Sequence, residues 1–194
     1  KIYLKISGGI GNQLFQYACA KNLSIKLKAK LIIDDKSGFF FDSIFKRKKS
    51  LPKNFKYQKI KLVELFYFYF FIFIKKLFYK EEKFFQLNKS IIFDETKTKA
   101  FEKNLDKKFI NSKNIFLVGF FQSESYFKEI KNEITQKIFK NKIINKQLIE
   151  MKKNINNTSV LMCVRLYEEA PKKIQKIFGG IENINFYKKA IKNF

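Results

Sequence analysis

The chain has 194 residues, enough for one ordinary domain or two small ones, and it contains no His and no Cys-x-x-Cys pair, which argues against a zinc site. Its formal net charge at pH 7 is +24, but nearly all of its 41 basic residues are lysines, and they are dispersed among Phe and Ile rather than gathered in one block. Dispersed lysines are typical of a solvated surface, so the charge favours no specific nucleic-acid groove and leaves a general attraction to polyanions and anionic lipid.

The amino-terminal part of the chain predicts a β-α-β unit. Apolar and polar residues alternate in a first strand, Lys1 to Ser7, and apolar residues then keep helical spacing from about Asn12 to Lys28. A second strand runs from Lys30 to Ile33. This order opens a doubly wound α/β sheet. Asp34 falls where a dinucleotide-binding protein would place a ribose ligand, and a polar strand end is an equally good interpretation.

A glycine-rich turn, Gly8-Gly9-Ile10-Gly11, joins the first strand to the helix. Glycines let the backbone approach a ligand closely, and a helix N-terminus offers N–H groups and the positive end of a dipole to an anion. Amides at the opening of a helix can bond to sugar hydroxyls or phosphate oxygens. The candidate binding residues here are Gly9, Gly11, Asn12 and Gln13. The spacing matches neither the dinucleotide fingerprint nor the P-loop, so a tight turn without a ligand is the alternative.

Ten consecutive apolar residues run from Leu65 to Ile74, after a basic and aromatic stretch without clear periodicity. The run is too short for a bilayer span, which needs about 20 residues. We expect a buried core helix. An interfacial segment edged by Lys75 and Lys76 is the alternative, and it would suit peripheral contact with a membrane.

A third strand is predicted from Asn114 to Phe120, followed by a helix that begins near Ser123 as its N-cap. Four apolar residues at a spacing of four give that helix one buried stripe: Tyr126, Ile130, Ile134 and Ile138. Gln122 lies at the carboxyl end of the strand, where ligands of open α/β sheets bind, and is a further candidate binding residue.

The polar stretch from Lys152 to Thr158 predicts a domain boundary, which gives an N-terminal α/β domain over residues 1–155 and a second domain over 156–194. A strand from Ser159 to Leu166 opens the second domain and is apolar apart from Arg165. In a chain that uses lysine almost everywhere, this arginine indicates a need for a planar, bidentate fork, as in diphosphate recognition. A structural ion pair with Glu168 or Glu169 is the alternative.

Four segments, in this order, resemble one enzyme family. They are Gly8 to Ala18 (Gly-Gly-Ile-Gly-Asn-Gln-Leu-Phe-Gln-Tyr-Ala), Gly119 to Phe127 (Gly-Phe-Phe-Gln-Ser-Glu-Ser-Tyr-Phe), Ser159 to Glu168, and Gly179 to Ile191. Together they are similar to glycosyltransferase family 11, the α-1,2-fucosyltransferases. The third segment departs from the family's His-x-Arg-Arg-x-Asp strand end, because Cys163, Leu166 and Glu168 replace the histidine, the second arginine and the aspartate.

The resemblance implies a GT-B-like architecture, with a Rossmann-type N-terminal domain and the start of a second Rossmann-type donor domain. It implies inverting transfer of fucose from GDP-fucose to a glycan hydroxyl, with no metal and no further cofactor. Arg165 would contact the diphosphate. Because the chain has no histidine, the general base would be a carboxylate, and the candidates are Glu168, Glu124 and Asp34. Loss of the second arginine at Leu166 puts full activity in question.

Members of the family continue further, so we expect this chain to be a C-terminally truncated fragment. The expected acceptor is a glycan, on a lipid carrier where the enzyme acts at a membrane. The expected location is the cytoplasm, with peripheral contact at the inner face of the membrane. Two alternatives stay open, a basic protein that binds nucleic acid or another polyanion, and a catalytically inactive family member.

Overall fold

The computed structural model describes residues 1–40, 42, 46–98 and 101–139, together with 149, 150, 153–156, 158, 159, 172, 188, 189 and 192. The chain divides into two compact units, Lys1–Asn141 and Lys142–Phe194. All the elements below belong to the first unit. Arg165, Glu168, Cys163 and most of the predicted second domain lie outside the described residues.

The first unit is built on a six-stranded sheet. Its strands are β1 (Ile2–Lys5), β2 (Leu31–Asp34), β3 (Gln58–Lys59), β4 (Phe84–Leu87), β5 (Ser90–Asp94) and β6 (Asn114–Val118), in the order β3-β2-β1-β6-β5-β4. Every neighbouring pair is parallel except the β4–β5 hairpin. The helices are α1 (Ile10–Lys26), α2 (Ser37–Phe40), α3 (Leu62–Phe78), α4 (Leu105–Phe109) and α5 (Lys131–Phe139). The predicted α/β class is confirmed, and the mixed, mostly parallel sheet is compatible with a Rossmann-like fold.

Helices cover both faces of the sheet. In β1, β2 and β6 successive residues point to opposite faces, and both sets are apolar, as parallel strands buried on two sides require. Leu4, Ile33 and Leu117 belong to the larger core, which includes α1, α4 and α5. Their strand neighbours Tyr3, Ile32 and Phe116 belong to the smaller core under α3.

The predicted β-α-β unit is present, with α1 starting at Ile10 rather than near Asn12. The predicted start of the helix near Ser123 is wrong. Ser123 does act as an N-cap, but of a 3-10 turn, Glu124–Tyr126, and α5 begins only at Lys131. Phe127, with φ −144° and ψ 24°, interrupts the helical path between them. The apolar residues predicted to face the core in this segment still pack inward, because Tyr126 and Ile134 are buried.

The β4–β5 hairpin and the two-residue strand β3 were not predicted from the sequence. The hairpin turns at Asn88, whose φ of +53° is the left-handed conformation that Asn tolerates better than most residues. Its strands place Phe85 and Ile92 in the core under α3, while Phe93 joins the opposite core. The hairpin therefore extends the sheet beyond β6 and supplies apolar side chains to both layers.

The helix α3 agrees with only half of its prediction. Phe68 and Phe71 are buried and pack on the ring of Phe116 at centroid distances of 5.2 and 5.3 Å. The opposite side of the helix is exposed, with Phe66 at 70% and Phe73 at 60% of full exposure. The expectation of a buried core helix therefore holds for one side of α3 and is wrong for the other. Within the part of the chain that the structure describes, no helix is long and apolar enough to cross a membrane.

Candidate functional site

The strand order creates a crevice between β1 and β6. From β1 the chain proceeds through α1 to β2 on one side, whereas β6, the last strand among the described residues, pairs with β1 on the other side. Open α/β sheets bind ligands at the carboxyl ends of the strands at such a switch point, because the two connections leave in opposite directions. Here β1 leads into Gly8 and Gly9, and β6 leads into Gly119 and Gln122.

The turn after β1 presents the amino end of α1 at this crevice. Gly8 has a φ of +76°, and Gly9 is the N-cap in an extended conformation. The first helical bond runs from the Gln13 N–H to the Gly9 carbonyl at 3.1 Å, so the N–H groups of residues 10–12 have no helical acceptor. Among the described residues no side chain caps them, and the first turn carries no acidic residue. This end of α1 is therefore suited to an anion.

Gly9 and Gly11, both predicted binding residues, are not required by the folded chain. A Cβ built on either one meets no heavy atom within 4 Å, and neither has a positive φ. Glycine inside a helix costs about 1 kcal/mol relative to alanine, so Gly11 is locally unfavourable. Open space beside both Cα atoms is what close approach of a ligand to the backbone requires.

The structure brings two other predicted residues together. The Gln122 side-chain amide donates to Asn12 Oδ1 at 2.7 Å, although the two residues are 110 positions apart. Gln16 joins the same strand ends, because its Oε1 accepts from the Ser7 N–H and its Nε2 donates to the Gly119 carbonyl, each at 3.0 Å. Gln16 is fully buried and was not predicted as a site residue; an amide among apolar neighbours on α1 was the available signal.

Gln13, also predicted to bind ligand, is occupied by the chain itself. Its buried amide donates to the carbonyls of Gly8 and Lys48 at 2.9 and 3.0 Å and accepts from the Ser50 N–H at 2.8 Å. It thus holds the segment Lys46 to Ser50 against the glycine turn. In this geometry Gln13 shapes the site and has no free donor for a ligand.

The segment Lys46 to Ser50 adds positive charge beside the turn. All five residues are exposed. Lys49 pairs with Asp35 at 3.1 Å, and Tyr57 donates to the same carboxylate at 2.9 Å. Burial alone would raise the pKa of Asp35, but the hydrogen bonds from Lys49 and Tyr57 and the lysine charge hold it below its ordinary value. The carboxylate therefore stays ionised and anchors the basic segment, whose field favours anions at the turn.

The turn after β6 depends on Glu95 and Gly119. The carboxylate of Glu95 accepts from the N–H groups of Phe120 and Phe121, both at 3.1 Å. Gly119 has a φ of +143°, and a Cβ there would lie 2.6 Å from the Glu95 Cβ. Phe121 is also in the left-handed region, with φ +54°. Glu95 was missed in the sequence because it follows β5, a strand that the sequence pattern did not indicate.

Asp34 supports the strand-end interpretation rather than a free ligand group. It is buried, and its Oδ1 accepts from the N–H groups of Lys36 and Ser37 at 3.1 and 2.9 Å. Its Oδ2 accepts from the Ser37 hydroxyl, which also contacts the Tyr69 hydroxyl of α3. Burial lowers the pKa of the neighbouring Lys5, although the charge of Asp34 opposes that shift. A cavity of about 420 Å³ lies beside this network, between α2 and the start of α3.

The groups at the crevice are backbone N–H groups, amides and lysines, which recognise anions and hydroxyls. Within the described ranges, no group of three or more His, Cys, Asp or Glu residues is placed to hold a metal ion. No protein-family model, curated protein or solved structure matches the chain.

Proposed function

We propose that this chain is a glycosyltransferase of the α-1,2-fucosyltransferase type, which transfers fucose from GDP-fucose to a glycan hydroxyl with inversion and without a metal ion. One observation carries the proposal. The two segments that most resemble the family, Gly8 to Ala18 and Gly119 to Phe127, meet at the β1–β6 crevice through the hydrogen bond between Asn12 and Gln122. Residues this far apart in sequence have no local reason to pair, and the switch point is where such a fold binds its ligand.

The crevice has the chemistry that a sugar diphosphate needs. The free N–H groups of residues 10–12 can donate to phosphate oxygens at the positive end of the α1 dipole. The amide pair Asn12 and Gln122 offers donors and acceptors to sugar hydroxyls. Lys46 and Lys48 are exposed beside the turn and can offset part of the diphosphate charge.

The proposed reaction breaks the bond between the anomeric carbon and a phosphate oxygen while an acceptor hydroxyl attacks the opposite face. Positive charge develops on the sugar ring and negative charge on the departing GDP. Donors already oriented toward that charge stabilise the transition state more than water does, because they need no reorganisation. In the proposal Arg165 adds a bidentate contact to the diphosphate and Glu168 takes the acceptor proton; both lie outside the described residues.

The GT-B arrangement and the assignment of residues 156–194 to the start of a donor domain belong to the same proposal. The acceptor is a glycan, and a glycan on a lipid carrier fits a cytoplasmic enzyme that works at the inner face of the membrane.

Thermal unfolding of the purified chain with and without GDP tests the proposal. At a GDP concentration about 100 times the Kd, the expected stabilisation is about 2.7 kcal/mol, or several degrees in Tm. Asn12→Ala and Arg165→Ala should reduce that shift. Lys107→Ala, an exposed change on α4, is the matched control and should keep it. Transfer of labelled fucose from GDP-fucose to glycan acceptors then tests the chemistry.

Two outcomes would contradict the proposal. If GDP leaves Tm unchanged while oligonucleotides bind with a steep salt dependence, the chain is a polyanion-binding protein. If GDP binds and Arg165→Ala removes the binding, but no acceptor receives fucose, the chain has the family's fold and ligand without its activity.

A further inference from the structure

The exposed side of α3 is a continuous apolar surface. Six side chains at helical spacing point to solvent, and we call them the apolar stripe: Leu62, Val63, Phe66, Phe70, Phe73 and Leu77. The opposite side of the same helix is also apolar and packs on the sheet through Phe68 and Phe71. A helix that is apolar all round is normally covered on every side, so the apolar stripe indicates an interaction surface.

Lysines border the apolar stripe. Lys76 is the exposed charged residue within α3, and Lys59, Lys61 and Lys80 lie just beyond its two ends. Among the described residues none of these four has a carboxylate within ion-pair distance, whereas the other charges of α3 are engaged. Glu64 binds Lys1 at 2.9 Å, and Lys75 binds Asp94 at 3.0 Å on the buried side. The surface thus combines an aromatic centre with unpaired positive charge at its edges.

We propose that the apolar stripe docks on the surface of a bilayer that contains anionic lipid. The Phe and Leu side chains would enter the boundary between headgroups and acyl chains, and the bordering lysines would contact lipid phosphates. The 17 residues of α3 make a helix about 25 Å long, which suits a position in the plane of the membrane. This proposal does not depend on the proposed function.

Charge selects an anionic bilayer over a second copy of this chain. A symmetric dimer through α3 would place the same bordering lysines of two chains opposite each other, and each chain has a formal net charge of +24. Like charges brought together in this way cost several kcal/mol, whereas anionic headgroups attract about 1 kcal/mol per lysine near the surface. The aromatic residues fit the same partner, because Phe is common on the buried side of interfacial helices.

Vesicle flotation tests the proposal with the whole chain. The probes are vesicles of phosphatidylcholine alone and of phosphatidylcholine with about one third phosphatidylglycerol. The test variant is the triple substitution Phe66→Gln, Phe70→Gln and Phe73→Gln, which changes exposed positions to a residue that favours helix. Ile110→Gln, at a similarly exposed site away from α3, is the matched control. Circular dichroism confirms that both variants keep the fold.

The proposal predicts that the unchanged chain and Ile110→Gln float with the anionic vesicles, and that the triple variant partitions on the order of 100-fold less. Equal binding by the triple variant would overturn it, since lysines alone would then explain the attraction. A dimer in solution that becomes a monomer in the triple variant, without vesicle binding by either, would assign the apolar stripe to a second copy. A monomeric chain that ignores both kinds of vesicle would overturn it as well.

Discussion

The substitution Gly11→Ala should separate the stability of the fold from binding at the crevice. The added methyl group meets no atom within 4 Å, so the folded chain can accept it without strain. Because Cβ atoms tilt toward the amino end of their helix, this methyl group projects toward the free N–H groups of α1. It should therefore interfere with a phosphate that approaches the turn, and with nothing else.

The magnitudes follow from helix propensity and ligand linkage. Replacing glycine in a helix by alanine gains up to about 1 kcal/mol, and the position in the first turn reduces this to roughly 0.5 kcal/mol. We expect Tm to stay the same or to rise by about 1–2 °C. At 100 times the Kd, GDP should stabilise the unchanged chain by about 2.7 kcal/mol, and a tenfold loss of affinity leaves roughly 1.4 kcal/mol.

The assay is thermal unfolding across a GDP titration, with Gly38→Ala as the contrasting glycine variant. A Cβ at Gly38 would lie 2.0 Å from the Ile6 carbonyl oxygen, so that variant should lose stability whether or not GDP is present. If Gly11→Ala binds GDP as tightly as the unchanged chain, the open space beside Gly11 serves no phosphate and the reasoning fails. A clearly lower Tm for Gly11→Ala in the absence of GDP would contradict the prediction that the folded chain accepts the methyl group.

Three further predictions concern the groups that shape the crevice and hold the fold. Gly119→Ala should cost at least about 2 kcal/mol in urea unfolding, because φ is +143° and the new Cβ would meet Glu95; a neutral result would mean that the turn relaxes freely. Gln16→Met should cost about 2–3 kcal/mol, since it leaves the Ser7 N–H and the Gly119 carbonyl without their partner, and a loss below about 0.5 kcal/mol would argue that water replaces the amide. The hydrogen bond from Lys26 at 2.6 Å, then the backbone and Asn22, lower the pKa of Glu129 from 4.5 to about 2. Because the pKa of Glu129 is lower in the folded chain, its ionised carboxylate stabilises the fold above pH 4.5, and this effect is lost as the pH falls toward 2. Glu129→Gln should therefore lower the free energy of unfolding by about 1 kcal/mol at pH 7, a value discounted for solvent screening, and should have no effect near pH 2. An equal difference in unfolding free energy at both pH values would contradict this assignment.

The sequence predicted those parts of the fold whose periodicity is local. The β1–α1–β2 unit and β6 follow from alternation, helical spacing and a continuous apolar run. The β4–β5 hairpin was not predicted because the turn between its strands lacks the glycine that usually marks a tight hairpin. The sequence could not predict which face of α3 is buried, because both faces are apolar. Only the position of the helix on the sheet decides which face is covered.

For the candidate site, the sequence predicted the glycine turn, Asn12 and Gln122 as separate binding candidates, and the structure joins the last two by a hydrogen bond. It missed Gln16 and Glu95, because their roles depend on which strand ends become neighbours. Gln16 reaches a carbonyl 103 positions away, and Glu95 holds two N–H groups beyond β6. Such contacts depend on the strand order of the sheet, which the local sequence pattern does not show. The roles of Arg165 and Glu168 stay predictions from sequence.

The helix α3 connects the two proposals physically. The ion pair between Lys75 and Asp94 fixes its carboxyl-terminal part to the carboxyl end of β5, and Asp94 directly precedes Glu95, which holds the turn after β6. Tyr69 on the same helix reaches the Ser37 hydroxyl, which is bonded to Asp34 at the end of β2. Lys75 is on the sheet side of the helix with Phe68 and Phe71, so docking of the apolar stripe would leave its contact with Asp94 intact. A bilayer bound there would therefore hold the crevice at a fixed position relative to the membrane surface, which is the arrangement that transfer to a lipid-linked acceptor requires.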